Sequence, residues 1–337
     1  MGIWAIIGPK LGYLRLILGL LVSGAALALA LREVDLGLAF GALGRVRPEP
    51  AALALLLVLG SLGARAYRWQ ALFPPKARPP AGRLFNLVAL SYLVNNLLPG
   101  RAGDLARVGA LAYVGKLPFG LILATVVVEK LLDLAATVAV VGLLAGTLPI
   151  PPALAGPVRW AAVGTAAGLV GLGLFGRFGP GVLGRLRLPA LARPLAGLLA
   201  GAAAGAAVLT SARPLALAVF WSAVVWGLNG LVTLLLGHAF GVGLSFGASL
   251  LLIALVSLAM LVPASPGYIG VYHLSVVVVL ELFGVDRNRA FAFALGSHLL
   301  VYVVGLTLFG LVGLWREALD PKLVFGFGRR GGLPPAA

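Results

Sequence analysis

The chain has 337 residues, of which 61% are hydrophobic and only 11% charged, and its mean hydropathy is +1.07. Soluble globular domains carry about 45–50% apolar and about 25% charged residues, so this composition excludes a water-soluble fold and makes lipid the solvent. The net charge of +16 sits in short loops between apolar runs, which points to a positive-inside bias and anionic lipid headgroups rather than nucleic acid, and the lack of cysteine excludes disulfides, cysteine-ligated metals and thiol catalysis.

In chain order, apolar segments lie near 13–31, 51–72, 84–98, 102–114, 118–147, 158–175, 195–210, 214–236, 246–262, 267–284 and 290–314. The first has the outline of a secretory leader, with Lys10 and Arg15 ahead of an apolar run that ends Ala28-Leu29-Ala30; it is read as an uncleaved anchor. The pairs 84–114 and 246–284 are each interrupted, at Pro99-Gly100 and at Pro263-Ala264-Ser265-Pro266-Gly267. At ~1.5 Å rise per residue, each arm covers roughly 21–26 Å, less than the ~30 Å hydrocarbon core. Both pairs therefore read as re-entrant helical hairpins, and such breaks survive at membrane depth only where the freed backbone faces protein or a wet cavity.

The expected fold is all-α and integral to the membrane, with about six transmembrane helices plus the two hairpins in one polytopic domain, 1–314, and a basic cytoplasmic tail, 315–337. Loop charge supports this order. Loops 73–83 (Lys76, Arg78, Arg83) and 176–193 (Arg177, Arg185, Arg187, Arg193) and the tail (Arg316, Lys322, Arg329, Arg330) are basic, whereas 148–157 and 237–245 hold no Lys or Arg and 32–49 balances Arg32, Arg45 and Arg47 against Glu33, Asp35 and Glu49. The basic loops and both termini are placed in the cytoplasm of a multi-pass cell-membrane protein. Segment 195–210 is then expected to lie on or dip into the cytoplasmic face. The two hairpins enter from opposite sides, an inverted repeat with broken helices of the kind transporters use.

Three constellations carry ionisable or polar groups. The first is Asn95-Asn96 followed by Pro99-Gly100-Arg101-Ala102-Gly103-Asp104-Leu105-Ala106-Arg107. A half-helix starting there leaves N–H groups free for an anion. Arg101 and Arg107 offer bidentate forks for a phosphate, and Asp104, three residues from each, can hold both. The alternative is an Arg-Asp-Arg cluster that only fixes the hairpin. The second is Glu129-Lys130 with Asp133, a charge network or proton-coupling group. Glu129 and Asp133 share a helical face, so either a cation such as Arg101 or Arg107 lies between them, or one carboxyl stays protonated, or both are wet at the cytoplasmic end. The third surrounds the second break, where Ser265, Tyr268, Tyr272 and His273 supply hydroxyl and imidazole groups for a headgroup or a proton relay; for His273 alone, a satisfied core histidine is the competing reading. His238 and His298 stand alone, and no pair has metal-ligand spacing. No metal and no cofactor is expected.

These motifs, from Arg68-Trp69 through Asn95-Asn96-Leu97-Leu98-Pro99-Gly100-Arg101-Ala102-Gly103-Asp104-Leu105-Ala106-Arg107 and Val128-Glu129-Lys130-Leu131-Leu132-Asp133 to Pro263-Ala264-Ser265-Pro266-Gly267-Tyr268-Ile269-Gly270, resemble the lysylphosphatidylglycerol synthase transmembrane-region family of flippase-like proteins. The resemblance covers most of the chain and implies a role in translocating lipids. Asp104 stands where the family commonly has Glu, Lys130 where Arg is common, His273 where an acid is frequent, and His298 where Arg is expected. Only residues 315–337 follow the last apolar segment, so the soluble aminoacyl-transfer domain of bifunctional members is expected to be missing. The favoured function is a flippase moving an anionic or modified phospholipid or a lipid-linked precursor. The alternative is a membrane-embedded group transferase acting on a lipid-linked sugar, which the absence of a DxD-like pair and of a phosphate-cradling glycine loop disfavours; a scaffold for envelope enzymes is a third. The partners it admits are membrane lipids and a second copy of the chain.

Overall fold

The computed structural model describes residues 9–98, 102–148, 150, 154–185 and 193–321. Of the features singled out above, the side chains of Lys10 and Arg15, the segment Pro99-Gly100-Arg101, Arg187, and the tail from Lys322 onward lie outside the described residues.

Every regular element among the described residues is a helix. In order these are α1 (Pro9–Leu31), α2 (Leu36–Leu43), α3 (Pro48–Ala71), α4 (Ala81–Leu97), α5 (Ala102–Gly115), α6 (Phe119–Leu144), α7 (Ala155–Arg185), α8 (Arg193–Ala206), α9 (Ala212–Ala239), α10 (Phe246–Ala259), α11 (Val271–Leu282), α12 (Arg287–Ser297) and α13 (Thr307–Arg316). Residues His298–Leu306 join α12 to α13 as a π-helical stretch. Local chemistry explains the ends. Pro48 opens α3 in its first turn, where a missing N–H costs nothing. The side chains of Asp35, Ser245 and Asp286 accept from Leu38, Ala248 and Arg289 N–H at the starts of α2, α10 and α12, satisfying donors that a helix leaves orphaned.

Among the described residues, four helices are long and apolar enough to cross a membrane: α3, α7, α9 and the continuous run Arg287–Arg316; a fifth is α1 with α2 if that pair, bent by 90°, is one span. α6 is comparably long at 26 residues, but Glu129, Lys130 and Asp133 interrupt its apolar face. The pairs α4–α5 and α10–α11 are built from helices of 12 to 17 residues, roughly 18–26 Å long.

α3 and α9 pack along their lengths as the central pair, with α4 laid between α3 and α13. α6 reaches α3, α5, α9 and α10, and α11 packs on α1, α10 and α12. Segment 195–210 forms α8 and a short 3-10 turn, wedged between α6 and α7. Glycines allow that approach: a Cβ on Gly120 would strike the carbonyl of Leu198, and one on Gly205 that of Leu121. α7 presents Trp160, Val170, Leu174 and Phe178 outward, as a helix bathed in lipid does.

Candidate functional site

The site starts on α3, where Ser61, Arg65 and Arg68 recur at helical spacing and face one interior. Arg68 is wholly buried. It donates from Nη1 and Nη2 to the two carboxylate oxygens of Asp133, the second at 3.2 Å. Its Nη2 also lies 3.3 Å from Glu129 Oε1, and its Nη1 is 3.4 Å from Ser222 Oγ of α9. Arg107 of α5 also grips Glu129, Nη2 to Oε1 at 2.9 Å and Nη1 to Oε2 at 3.2 Å. Arg107 Nη2 also donates to Asp104 Oδ1 at 3.1 Å, and Lys130 Nζ meets the same oxygen at 2.9 Å. Two carboxylates four residues apart on α6 are thus held by guanidinium groups from two other helices. Neither is left without a counter-charge, which membrane burial would penalise heavily. Trp69 completes the cluster: its ring centroid lies 4.7 Å from Arg107 Cζ, and its indole N–H donates to Thr125 Oγ1 at 3.0 Å.

The cation expected between Glu129 and Asp133 is Arg68, not Arg107, which holds Glu129 and Asp104. Arg101 lies outside the described residues. Arg107, expected to offer its fork to a phosphate, has both terminal nitrogens engaged by Glu129 and Asp104 and is buried. Asn95 Oδ1 accepts from Gly103 N–H at 2.8 Å, so it caps the first turn of α5 and takes up one of the donors expected to receive an anion. Asn96 Nδ2 donates to the carbonyl of Tyr302 at 2.6 Å and to Thr307 Oγ1 at 3.2 Å. It thereby satisfies an acceptor within the π-helical stretch, a widened form of helix that often marks functional sites.

The second break lies against the C-terminal end of α4. Gly267 (φ 66°), Tyr268 (φ 58°) and Gly270 (φ 88°) turn the chain sharply, and the carbonyl of Gly267 accepts from His298 Nε2 at 2.7 Å. His273 Nδ1 accepts from Gly270 N–H at 3.4 Å at the start of α11. Ser265 N–H donates to Ser23 Oγ of α1 at 2.8 Å, and Ser265 Oγ donates to Ile269 O at 3.2 Å. Ser265 and His273 thus serve the backbone of the break, whose polar groups would otherwise face lipid. Tyr272 Oη and Ser297 Oγ share a hydrogen bond at 3.0 Å; the His298 and Tyr302 rings stack, and Tyr272 meets both at an angle, all with centroids within 5.3 Å.

Between the two breaks is a cavity of about 440 Å³. One end is polar, walled by Arg65, Asn95, Asn96, Asp104, Lys130 and Asp133; Tyr268, Tyr272 and Tyr302 approach from the opposite hairpin and the π-helical stretch. The rest is mainly apolar, with Leu252, Ile253, Val256, Leu261 and Val301 among its walls and scattered hydroxyls at Thr137, Thr233 and Ser257. Ser61 and Asn229 meet across α3 and α9 at 2.8 Å on the same surface. Of the residues named from sequence, Asn95, Asn96, Asp104, Lys130, Asp133, Tyr268 and Tyr272 line this cavity, Arg107 and Glu129 lie beneath it, and Ser265 and His273 are outside its lining. Sequence reasoning missed Arg65, Tyr92, Asn229 and Tyr302 and assigned Arg68 no role. The available signal was two arginines, at 65 and 68, inside an otherwise apolar helix.

An all-helical chain with several apolar spans, buried ion pairs and an amphipathic internal cavity is a polytopic membrane protein. It belongs to the lysylphosphatidylglycerol synthase TM region family, whose model matches residues 16–310. No match was found among curated proteins or among solved structures.

Proposed function

We propose that the protein is a lipid translocase of the cell membrane, moving an anionic or modified phospholipid or a lipid-linked precursor between leaflets. The observation that carries this reading is the cavity itself, with charged residues gathered in one part and mainly apolar walls in the rest, which matches a headgroup and its acyl chains in one compartment. In this reading α4–α5 and α10–α11 are re-entrant hairpins entering from opposite sides of a single membrane domain, 1–314, with both termini cytoplasmic. Their breaks then form the two halves of a gate around the headgroup. Transport is favoured over group transfer because Asp104, Glu129 and Asp133 are each committed to an ion pair, which leaves no free carboxylate base at the cavity.

The test is reconstitution of the purified protein into liposomes with a trace of tail-labelled fluorescent phosphatidylglycerol, followed by addition of a membrane-impermeant quencher. Transport is expected to carry the inner-leaflet label into the quenched pool within minutes. A protected fraction as large and as lasting as in protein-free liposomes would overturn the reading.

A further inference from the structure

Around the cavity, charge is almost balanced. Arg68, Arg107 and Lys130 are matched by Asp104, Glu129 and Asp133 through direct contacts. Arg65 stands outside this set. All ten acidic residues of the chain lie among the described residues, and none is in ion-pair contact with Arg65. Its contact is with the ring of Tyr92, whose centroid lies 5.8 Å from Arg65 Cζ. A ring over one face of a guanidinium leaves the in-plane N–H donors available.

Arg65 is half-buried and borders two spaces, the main cavity and a polar cleft of about 30 Å³ that it shares with Tyr92, Asn95 and the ion-paired Asp104, Arg107, Glu129 and Lys130. A guanidinium inside a membrane domain without a direct ion pair is costly; Asp133 lies near enough to feel the Arg65 charge but is itself held by Arg68, and the Arg65 fork fits a phosphate in two-pronged fashion. The carboxylates nearest the cavity are already neutralised, Asp104 by Lys130 and Arg107, and Asp133 by Arg68. A headgroup ammonium would therefore find no open carboxylate and would meet the surplus positive charge.

We propose that Arg65 is the phosphate-recognition residue of this cavity and that it selects a phosphodiester lipid of net negative charge over a zwitterionic one. That the ligand is a lipid rests on the transport reading above; the role of Arg65 as anion receptor rests on the charge balance.

The test is binding of tail-fluorescent phosphatidylglycerol and tail-fluorescent phosphatidylcholine to the purified full-length protein, with thermal unfolding measured alongside. Arg65→Ala and the closer isostere Arg65→Gln are expected to weaken phosphatidylglycerol binding at least about tenfold and to erase the preference between the two lipids. Arg65→Lys should keep part of it. Because no ion pair is broken, the melting temperature should hold in all three. Unchanged phosphatidylglycerol binding in Arg65→Gln overturns the proposal, as does a melting temperature that falls in both Ala and Gln variants while lipid preference is kept. Equal displacement by millimolar inorganic phosphate overturns the lipid part and identifies a soluble anion. Selective binding without transport would leave Arg65 in place and remove the translocase; transport with no lipid preference in wild type or Arg65→Gln would do the reverse.

Discussion

Arg107 holds Glu129 with both terminal nitrogens, at 2.9 Å and 3.2 Å, while Oε1 of the same carboxylate also lies 3.3 Å from Arg68 Nη2. Three helices, α3, α5 and α6, are thereby tied at one buried point. Arg107→Ala leaves Glu129 and Asp133 to share Arg68, and breaking a buried pair from one side costs about 3–5 kcal/mol. The melting temperature in detergent should fall clearly for Arg107→Ala, and the double change Arg107→Ala with Glu129→Ala should recover much of the loss. In that double variant Asp104 keeps Lys130 and Asp133 keeps Arg68, so no charge is stranded. A double variant less stable than Arg107→Ala would refute this account of the network.

Trp69 and Thr125 form an asymmetric pair. Thr125 Oγ1 accepts from the indole and itself donates to Ile122 O at 2.7 Å. Thr125→Ser keeps the acceptor for the indole and loses only a methyl group, about 1 kcal/mol, whereas Thr125→Val strands a buried indole N–H at about 1–3 kcal/mol. Unfolding measured on both variants should show Thr125→Val as the less stable.

Two glycines permit close backbone contact at the breaks. A Cβ on Gly103 would collide with the carbonyl of Ser91, and one on Gly270 with that of Ser23; Gly270 also has φ of 88°, which L-residues rarely adopt. Gly103→Ala should part α5 from α4, and Gly270→Ala should part α11 from α1, each lowering stability and shifting protease accessibility at its own break. Gly82→Ala is the control, because a Cβ there meets nothing within 4 Å. It should be neutral or stabilising by up to about 1 kcal/mol.

The proposed orientation can be read with single cysteines, since the chain has none of its own. Cysteines placed in 73–83 and in the part of 176–193 beyond the end of α7 at Arg185 should react with an impermeant thiol reagent only from the cytoplasmic side, and those in 148–157 only from outside. Labelling of 148–157 from the cytoplasm would break the arrangement.

Much of the helical framework was legible because its signals are local. The apolar runs, the proline and glycine punctuation and the caps at Asp35, Ser245 and Asp286 act within a few residues of where they are read. Helices end at Leu97 and Ala259 and resume at Ala102 and Val271, around the two interruptions seen in the sequence. The partners of the charged groups were not legible. Glu129 and Asp133 share a helix face, which called for a cation, but the spacing rule has no reach beyond its own helix. Arg68 stands 65 positions from Asp133 and was passed over for cations nearer in the chain.

What the sequence by itself determined is that the chain lives in lipid, that it is helical, and that it keeps a few costly charges where a membrane tolerates them only with partners. Tertiary structure decided which of those charges cancel and which does not. Packing of α3 against α6 brings Arg68 to Asp133 and Glu129 and leaves Arg65, one turn away, facing the cavity without a direct ion pair. Packing also draws His298 onto the carbonyl of Gly267 across 31 positions, and Asn96 onto that of Tyr302 across 206. Hydropathy depends on each side chain's transfer from water. Ion pairing depends on distances of about 3 Å between groups far apart in the chain, and only the packed helices set those distances.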